Sequence, residues 1–302
     1  MKKKRVTSAK KAATGWEPDV CCFHANCIDG FTAAWAIWKR WPDCKFIPMS
    51  YDDPVPDVSC ARVLMVDFSL KTKALETMAK SALSVVILDH HKSAEIELSR
   101  FHKWDSVEFM QHKLNHILTE NKSNVVVHFD MEHSGANLAW RFAHASDVPE
   151  IVNYVEDRDL WRHKLDGSAE HHVALGQCNQ DFREWEHASL TTAELVADGS
   201  AMLRQKRKQI ARMLEAGTYW TNIGGHSVPV CNCPGEFASD AGHELLKQYP
   251  MAPFAATWHR HRDGTVKFSL RSDDSRTDVS VVAAARGGGG HRNASGFTQT
   301  AV

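Results

Sequence analysis

Three short apolar runs in this chain end in side chains able to bind metal. Val85-Val86-Ile87-Leu88 runs into Asp89-His90-His91, and Val63-Leu64-Met65-Val66 runs into Asp67. Val20-Cys21-Cys22-Phe23 runs into His24, with Asn26, Cys27 and Asp29-Gly30 just beyond. The candidate ligands are His24, Asp29, Asp67, His90 and one of Asp157 or Asp159. Carboxylates and imidazoles together suit divalent ions of intermediate hardness, whereas an all-oxygen set would point to Mg²⁺. Mn²⁺ is the expected metal, as two ions, ahead of Co²⁺, Fe²⁺ and Mg²⁺. Two such ions about 3.5–4 Å apart generate a hydroxide and clamp a phosphate through an in-line displacement. Asp67 is expected to bridge them, Asp89 to fix the His90 ring through its far nitrogen, and His91 to face the substrate phosphate.

A second candidate set is Gly287-Gly288-Gly289-Gly290-His291-Arg292-Asn293, near the end of the chain. Glycine lets backbone N–H groups approach an anion closely, so Gly288, Gly289 and Gly290 are expected to cradle a phosphate. His291 and Asn293 add side-chain donors, and Arg271 is a further phosphate candidate. The run follows a helix, which separates it from a dinucleotide fingerprint of the GxGxxG type. Glu156-Asp157-Arg158-Asp159 closes a helix whose dipole opposes acids at that end, and a nearby cation would account for them.

The elements that must position these residues are legible in the same runs. Continuous apolar stretches rich in β-branched residues read as strands buried on both faces of a parallel sheet. Ligands of such sheets gather beyond the carboxyl ends of the strands. Strand 20–23, helix 31–41, strand 45–49, a strand from Val63, helix 71–81 and strand 84–88 give a doubly wound βαββαβ order. Helical stretches near 94–104 and 108–119, strand 125–129 and helices after Ser134 and Pro149 follow. Residues 191–216 read as one long helix, suited to bridging two lobes. Beyond it, strands 227–231, 255–259 and 266–270 with helices 237–248 and 279–285 make a smaller α/β domain. The expected organisation is a basic disordered tail over 1–18, a metal-binding catalytic domain over 19–190, a linker helix over 191–217 and a substrate-binding domain over 218–302.

Composition bounds the rest. With 302 residues, 43% of them hydrophobic, the chain can bury more than one core. A net charge of −1 excludes a protein that coats long nucleic acid by bulk electrostatics, yet is compatible with a small anionic ligand. The eight cysteines include no Cys-x-x-Cys pair, and without a secretory signal reduced thiols in a cytoplasm are expected. No apolar run reaches the ~18 residues of a membrane span. Met1 to Lys11 carries six basic residues and no apolar stretch, the pattern of a solvated tail.

Taken together, Asp89-His90-His91 after an apolar strand, Val66-Asp67-Phe68-Ser69, Glu156-Asp157-Arg158-Asp159 and Gly288-Gly289-Gly290-His291-Arg292-Asn293-Ala294-Ser295-Gly296 resemble the DHH phosphoesterase superfamily with its DHH-associated C-terminal domain. The resemblance covers nearly the whole chain from about Val20. His24-Ala25-Asn26-Cys27-Ile28-Asp29-Gly30-Phe31 looks most like the branch of bacterial oligoribonucleases (nanoRNases) and phage-borne relatives. It implies a two-lobed enzyme with manganese in the first lobe and nucleotide-binding glycines in the second, closing over a phosphoester. It implies His24, Asp29, Asp67, His90 and Asp157 as metal ligands, His91 as a phosphate contact and Gly288 to His291 as the binding loop. Asp67, Asp89, His90 and His91 would carry catalysis. The chain departs from the pattern in one place: the usual first motif has a His, an Asp four residues on and another Asp two further. Here Asp29 is the one acid, with Asn26 and Cys27 before it. The expected activity is hydrolysis of short oligonucleotides or dinucleotides to mononucleotides. Alternatives are a cyclic-dinucleotide phosphodiesterase, a 3′-phosphoadenosine 5′-phosphate phosphatase and a catalytically weakened nucleotide-binding protein; a homodimer would be compatible with any of them.

Overall fold

A computed structural model describes residues 15–51, 53–108, 110–120 and 123–300. The chain divides into two compact units: residues up to Asp89 with Ser99–Glu156, and His90–Leu98 with Asp157 onward. The first unit holds β1 (Val20–His24), α1 (Ile28–Arg40), β2 (Lys45–Met49), β3 (Arg62–Val66), α2 (Thr72–Ser81) and β4 (Ser84–Asp89). After α3 (Lys92–Glu97), which belongs to the second unit, it continues with β5 (His102–Lys103), α4 (Met110–Glu120), β6 (Val125–Phe129), α5 (Gly135–Ala143) and most of α6 (Glu150–Asp159).

Its sheet is parallel throughout, in the order β2-β1-β3-β4-β6-β5. The apolar runs of β3 and β4 are buried on both faces, as continuous β-branched strands in a parallel sheet must be. Since β1 has β2 on one side and β3 on the other, the winding reverses between β1 and β3. Loops leaving the carboxyl ends of these two strands diverge, and the crevice they leave is where ligands of such sheets bind. His24 ends β1 and Asp67 follows β3.

Several boundaries differ from the sequence expectations. The expected tail over 1–18 falls mostly outside the described residues, but Trp16 is buried; its indole N–H donates to Ser84 Oγ at 2.9 Å, and its ring packs edge-on against Phe142. Helix α1 begins at Ile28 instead of Phe31, because the Cys27 carbonyl accepts the Phe31 N–H at 3.0 Å and draws Asp29 and Gly30 into the first turn. The stretch read as a helix over 94–104 ends at Glu97; His102–Lys103 instead adds a short edge strand to β6.

The second unit follows with α7 (Ser168–Leu175), α8 (Phe182–Leu190), α9 (Thr192–Gly217), β7 (Tyr219–Ile223), β8 (His226–Asn232), a 3₁₀ turn at Gly235–Phe237 and α10 (Ala238–Gln248). It closes with β9 (Ala255–Arg260), β10 (Thr265–Arg271), α11 (Val279–Ala284), β11 (Gly289–Gly290) and β12 (Ala294–Thr300). The sheet order is β11-β12-β10-β9-β8-β7, antiparallel except for the β8–β9 pair. The long helix α9 is not a bridge. It packs inside this unit against α7, α8, α10 and β8, with Ile210 and Leu214 in one core with Cys231, Ala241 and Leu245. The units part at Asp89/His90 and Glu156/Asp157, not at the 190/191 border read from the sequence. Among the described residues no helix is long and apolar enough to cross a membrane.

Two expectations follow for the second unit. A Cβ on Gly199 would lie 1.9 Å from the Glu170 carbonyl oxygen, where α7 and α9 cross. Alanine favours a helix over glycine by about 1 kcal/mol, but forced overpacking costs about 1–3 kcal/mol. The clash should win: urea unfolding of Gly199→Ala should show a lower midpoint than the parent, and an equal or higher midpoint would contradict the crossing. His171 is fully buried, which lowers it to about 4 from 6.5. The unfolded chain then binds this proton at higher pH than the folded one, so the stability it contributes is full above pH 6.5 and is lost as pH falls towards 4. In His171→Gln the dependence of unfolding free energy on pH in that window should be shallower; an unchanged slope contradicts the assignment.

Candidate metal centre

In the first unit the donors converge on Asp67. This residue leaves β3 with φ +52°, a left-handed conformation that an aspartate adopts more readily than a branched side chain, and is almost wholly buried. Its N–H donates to the Leu88 carbonyl at 3.0 Å, which ties the turn to β4. Its Oδ2 lies 3.4 Å from His24 Nδ1. Two glycines make room for it. A Cβ on Gly30 would stand 2.4 Å from the His24 carbonyl oxygen, and one on Gly135 would stand 2.3 Å from Asp67 Cβ.

Asp29 sits on the N-terminus of α5. Its two carboxylate oxygens accept the N–H groups of Gly135 at 2.7 Å and Ala136 at 3.0 Å, while Ser134 caps the same helix through the Asn137 N–H. A helix N-terminus offers unpaired N–H groups and a positive dipole end, so the charge of Asp29 is stabilised there. Each oxygen keeps a second lone pair for a cation. Glu156 Oε2 accepts the Ser134 N–H at 3.0 Å and ties α6 to this corner. Asp89, at the end of β4, accepts the Ser69 hydroxyl at 2.5 Å, both side chains being buried. Cys27 also belongs to the cluster: its Sγ, a His24 ring nitrogen and an Asp67 carboxylate oxygen lie within 4.8 Å of one another. Tyr51, which the sequence did not single out, places its ring 5.9 Å from that of His24; its hydroxyl is pushed up by loss of hydration and by the charges of Asp89 and Asp67.

In the second unit three imidazoles gather. The rings of His90, His91 and His291 lie 4.6–4.9 Å apart, and His90 Nε2 stands 3.6 Å from Asp159 Oδ2. Asp157 has a different position. Its carboxylate accepts the N–H groups of Lys164 at 2.8 Å and Leu165 at 3.3 Å and closes the loop after α6. Although burial pushes it up, such donors hold it below the usual carboxylate range. Of the two acids, Asp157 shapes the loop and Asp159 stands beside His90.

The glycine run is not the open cradle of N–H groups expected from its sequence. The N–H groups of Gly287 and Gly288 donate to Ala284 and Ala283, that of Gly290 to Ser93 Oγ, and that of His291 to Ala294. Glycine is needed here for close approach. A Cβ on Gly288 would lie 2.0 Å from the Gly296 oxygen, and Gly290 has φ +134°. His291 presents its ring to His90 and His91, whereas Asn293 donates to Asp274 at 2.7 Å. Arg271 donates to Ser239 Oγ and to the Leu270 carbonyl; burial, then the nearby Arg158, lowers it to about 10, so it stays cationic at neutral pH. Around it the sequence hid a cationic cluster. Arg158 and Lys206 both bind Asp240, at 2.6 and 2.7 Å, and the Arg158 guanidinium lies 3.8 Å from the Trp161 ring centre. Arg158, enclosed by acids in sequence, was the available signal.

No family model matches the chain. It is 28% identical over 312 aligned residues to an uncharacterized protein of Acanthamoeba polyphaga mimivirus, across 94% of this chain and 68% of that one. Among solved structures, an exopolyphosphatase-related protein from Bacteroides fragilis is similar with a TM-score of 0.50 at 12% identity, covering 94% of this chain and 88% of that one. RecJ from Thermus thermophilus, in complex with Mn²⁺, is similar with a TM-score of 0.51 at 13% identity, over 93% of this chain. The chain spans about half of RecJ, 49% of its length. These two structures share the α/β fold with its two sheets.

Gly135→Ala tests the crowding around Asp67. Alanine is the better helix former, so far-ultraviolet circular dichroism should be retained. Displacement of Asp67 and Asp29 should weaken Mn²⁺ binding in calorimetry by about 10–100-fold, the range seen when the support of a ligand is lost. Parental affinity in this variant would show that Asp67 does not organise the site.

Proposed function

We propose that the chain is a metal-dependent phosphoesterase that hydrolyses short oligonucleotides to mononucleotides with Mn²⁺. One observation carries the reading: His24, Asp67 and Asp89 stand at the carboxyl ends of β1, β3 and β4, with Asp29 in the first turn of α1, beside the point between β1 and β3 where the winding of the sheet reverses. Three buried carboxylates so close to one strand edge are costly unless a cation offsets them. The mixture of oxygen and imidazole donors suits Mn²⁺. His24, Asp29 and Asp67 would hold the ions from this unit; the sequence resemblance gives the same role to His90 and Asp157, although Asp159 is the acid that stands beside His90.

When bound, the ions would supply Lewis-acid polarisation of a phosphoryl oxygen and a water of lowered pKa. The remaining contributions belong to the chain. Ser69 orients Asp89, and the helix N-terminus orients Asp29, so neither carboxylate has to be organised when substrate arrives. His91 and His291 offer ring N–H donors to phosphate oxygens, and Arg271 with Arg158 and Lys206 outweighs Asp240 in charge, an environment suited to an anion. The fold shared with RecJ in its Mn²⁺ complex and with an exopolyphosphatase-related protein supports the reading. All eight cysteines lie outside any disulfide, which fits a reducing cytoplasm.

A product assay tests it. The purified protein would be incubated with Mn²⁺, with and without chelator, against a linear dinucleotide, a five-residue RNA, a cyclic dinucleotide, 3′-phosphoadenosine 5′-phosphate and polyphosphate. Chelator-sensitive cleavage of the linear dinucleotide is expected to be fastest. It should fall in Asp67→Asn and His90→Ala by more than the roughly 10–100-fold that follows loss of an outer partner. Undiminished turnover in both variants, or binding without turnover in the parent, would overturn the reading.

A further inference from the structure

The loop from His24 to Asp29 carries a donor that a carboxylate-based site would not need. Cys27 is the residue before α1, in extended conformation with φ −119° and ψ 134°. Helices prefer Ser, Thr, Asp or Asn at this place, because a side-chain oxygen there accepts an N–H of the first turn. Cys27 makes no such side-chain bond; only its carbonyl serves the helix. Capping therefore does not account for a thiol here. Nor does core packing, since Cys27 is half-buried whereas Cys21 and Cys22 of β1 are fully buried.

The surroundings account for it better. Asn26, with φ +54°, turns the chain between His24 and Cys27. After that turn the Cys27 Sγ, a His24 nitrogen and an Asp67 carboxylate oxygen lie within 4.8 Å of one another, close enough for one ion to reach all three. Asp29, two residues on, already has both oxygens on the first N–H groups of α5. Sulfur, imidazole and carboxylate together make a softer set than the carboxylates alone. Such a set selects Zn²⁺, Fe²⁺ or Co²⁺, whereas Mg²⁺ and Mn²⁺ prefer oxygen.

We propose that Cys27 is a thiolate ligand to the ion held by His24 and Asp67, so that this one of the two metal positions is a mixed sulfur, nitrogen and oxygen site preferring Zn²⁺, Fe²⁺ or Co²⁺, while the other keeps the oxygen and imidazole set suited to Mn²⁺. Coordination exchanges the S–H bond for a metal–sulfur bond, and the proton leaves to solvent. The inference rests on the reading that this unit holds a divalent ion, and the experiment separates the two.

The full-length protein would be stripped with chelator and reloaded with Co²⁺ alone for absorption spectroscopy, and with Zn²⁺ alone for X-ray absorption. The parent should show a thiolate-to-cobalt charge-transfer band in the near ultraviolet and a sulfur neighbour at about 2.3 Å from zinc. Cys27→Ser, which keeps a capping residue, should retain cobalt ligand-field bands but lose the charge-transfer band and the sulfur shell. Cys27→Asp, with a better cap and a hard ligand, should bind Mn²⁺ more tightly than the parent and Zn²⁺ more weakly, each on the order of 10–100-fold. Parent that binds Co²⁺ or Zn²⁺ without a sulfur signature, or the same signature in Cys27→Ser, overturns the role of Cys27 while leaving a metal site in place. Failure of the parent to bind any divalent ion overturns the phosphoesterase reading itself.

Discussion

The carboxylate of Asp29 on the N-terminus of α5 is the interaction on which the first unit's site depends. It joins the first turn of α1 to the helix after β6, residues 106 and 107 positions apart in the chain. Without a partner, a buried carboxylate is unfavourable by several kcal/mol; two aligned N–H groups and a helix dipole provide that partner. The bond also holds Gly135 against Asp67, where no larger residue fits. A helix N-terminus, a left-handed aspartate and two glycines thus form one mechanical unit, and His24 and Cys27 are placed by the loop after β1.

This explains which parts were legible in the sequence. β1, β3 and β4 announce themselves as apolar runs, and His24, Asp67 and Asp89 are legible because they stand where those runs stop. The contacts of Ser69, Gly135 and Tyr51 were not legible, even where the residue stood in a recognisable motif: each acts through a partner far off in sequence, and a glycine or serine alone carries no sign of what it touches. β7 and β12 were missed for a different reason. Tyr219–Ile223 and Ala294–Thr300 mix polar and apolar residues with no clear alternation, so pairing with β8 and β10 defines them more than composition does. Trp16 was assigned to a basic tail because the charge run before it dominates any window that contains it.

The second unit shows how charge patterning can mislead. The Arg204-Gln205-Lys206-Arg207-Lys208 run on α9 looks like a solvated face, and most of it is exposed, yet Lys206 reaches Asp240 in company with Arg158. Likewise the acids of Glu156-Asp157-Arg158-Asp159 have separate tasks: Glu156 serves Ser134, Asp157 a loop, and Asp159 stands at His90. A helix turn separates side chains that adjacency in sequence groups together, and so one motif distributes over three local roles.

The glycine run has a thermodynamic consequence. Four successive glycines in an unstructured segment would each lose about 1–2 kcal/mol of backbone conformational freedom on being ordered, and a ligand that ordered them would bind more weakly by that sum. Here the N–H groups of Gly287, Gly288 and Gly290 are already bonded to the fold, and Gly289 and Gly290 pair with β12. That entropy is therefore lost when the domain folds, not when a ligand arrives. The run that looks most pliant in the sequence therefore holds His291 against His90 and His91 with its ordering penalty already met by folding.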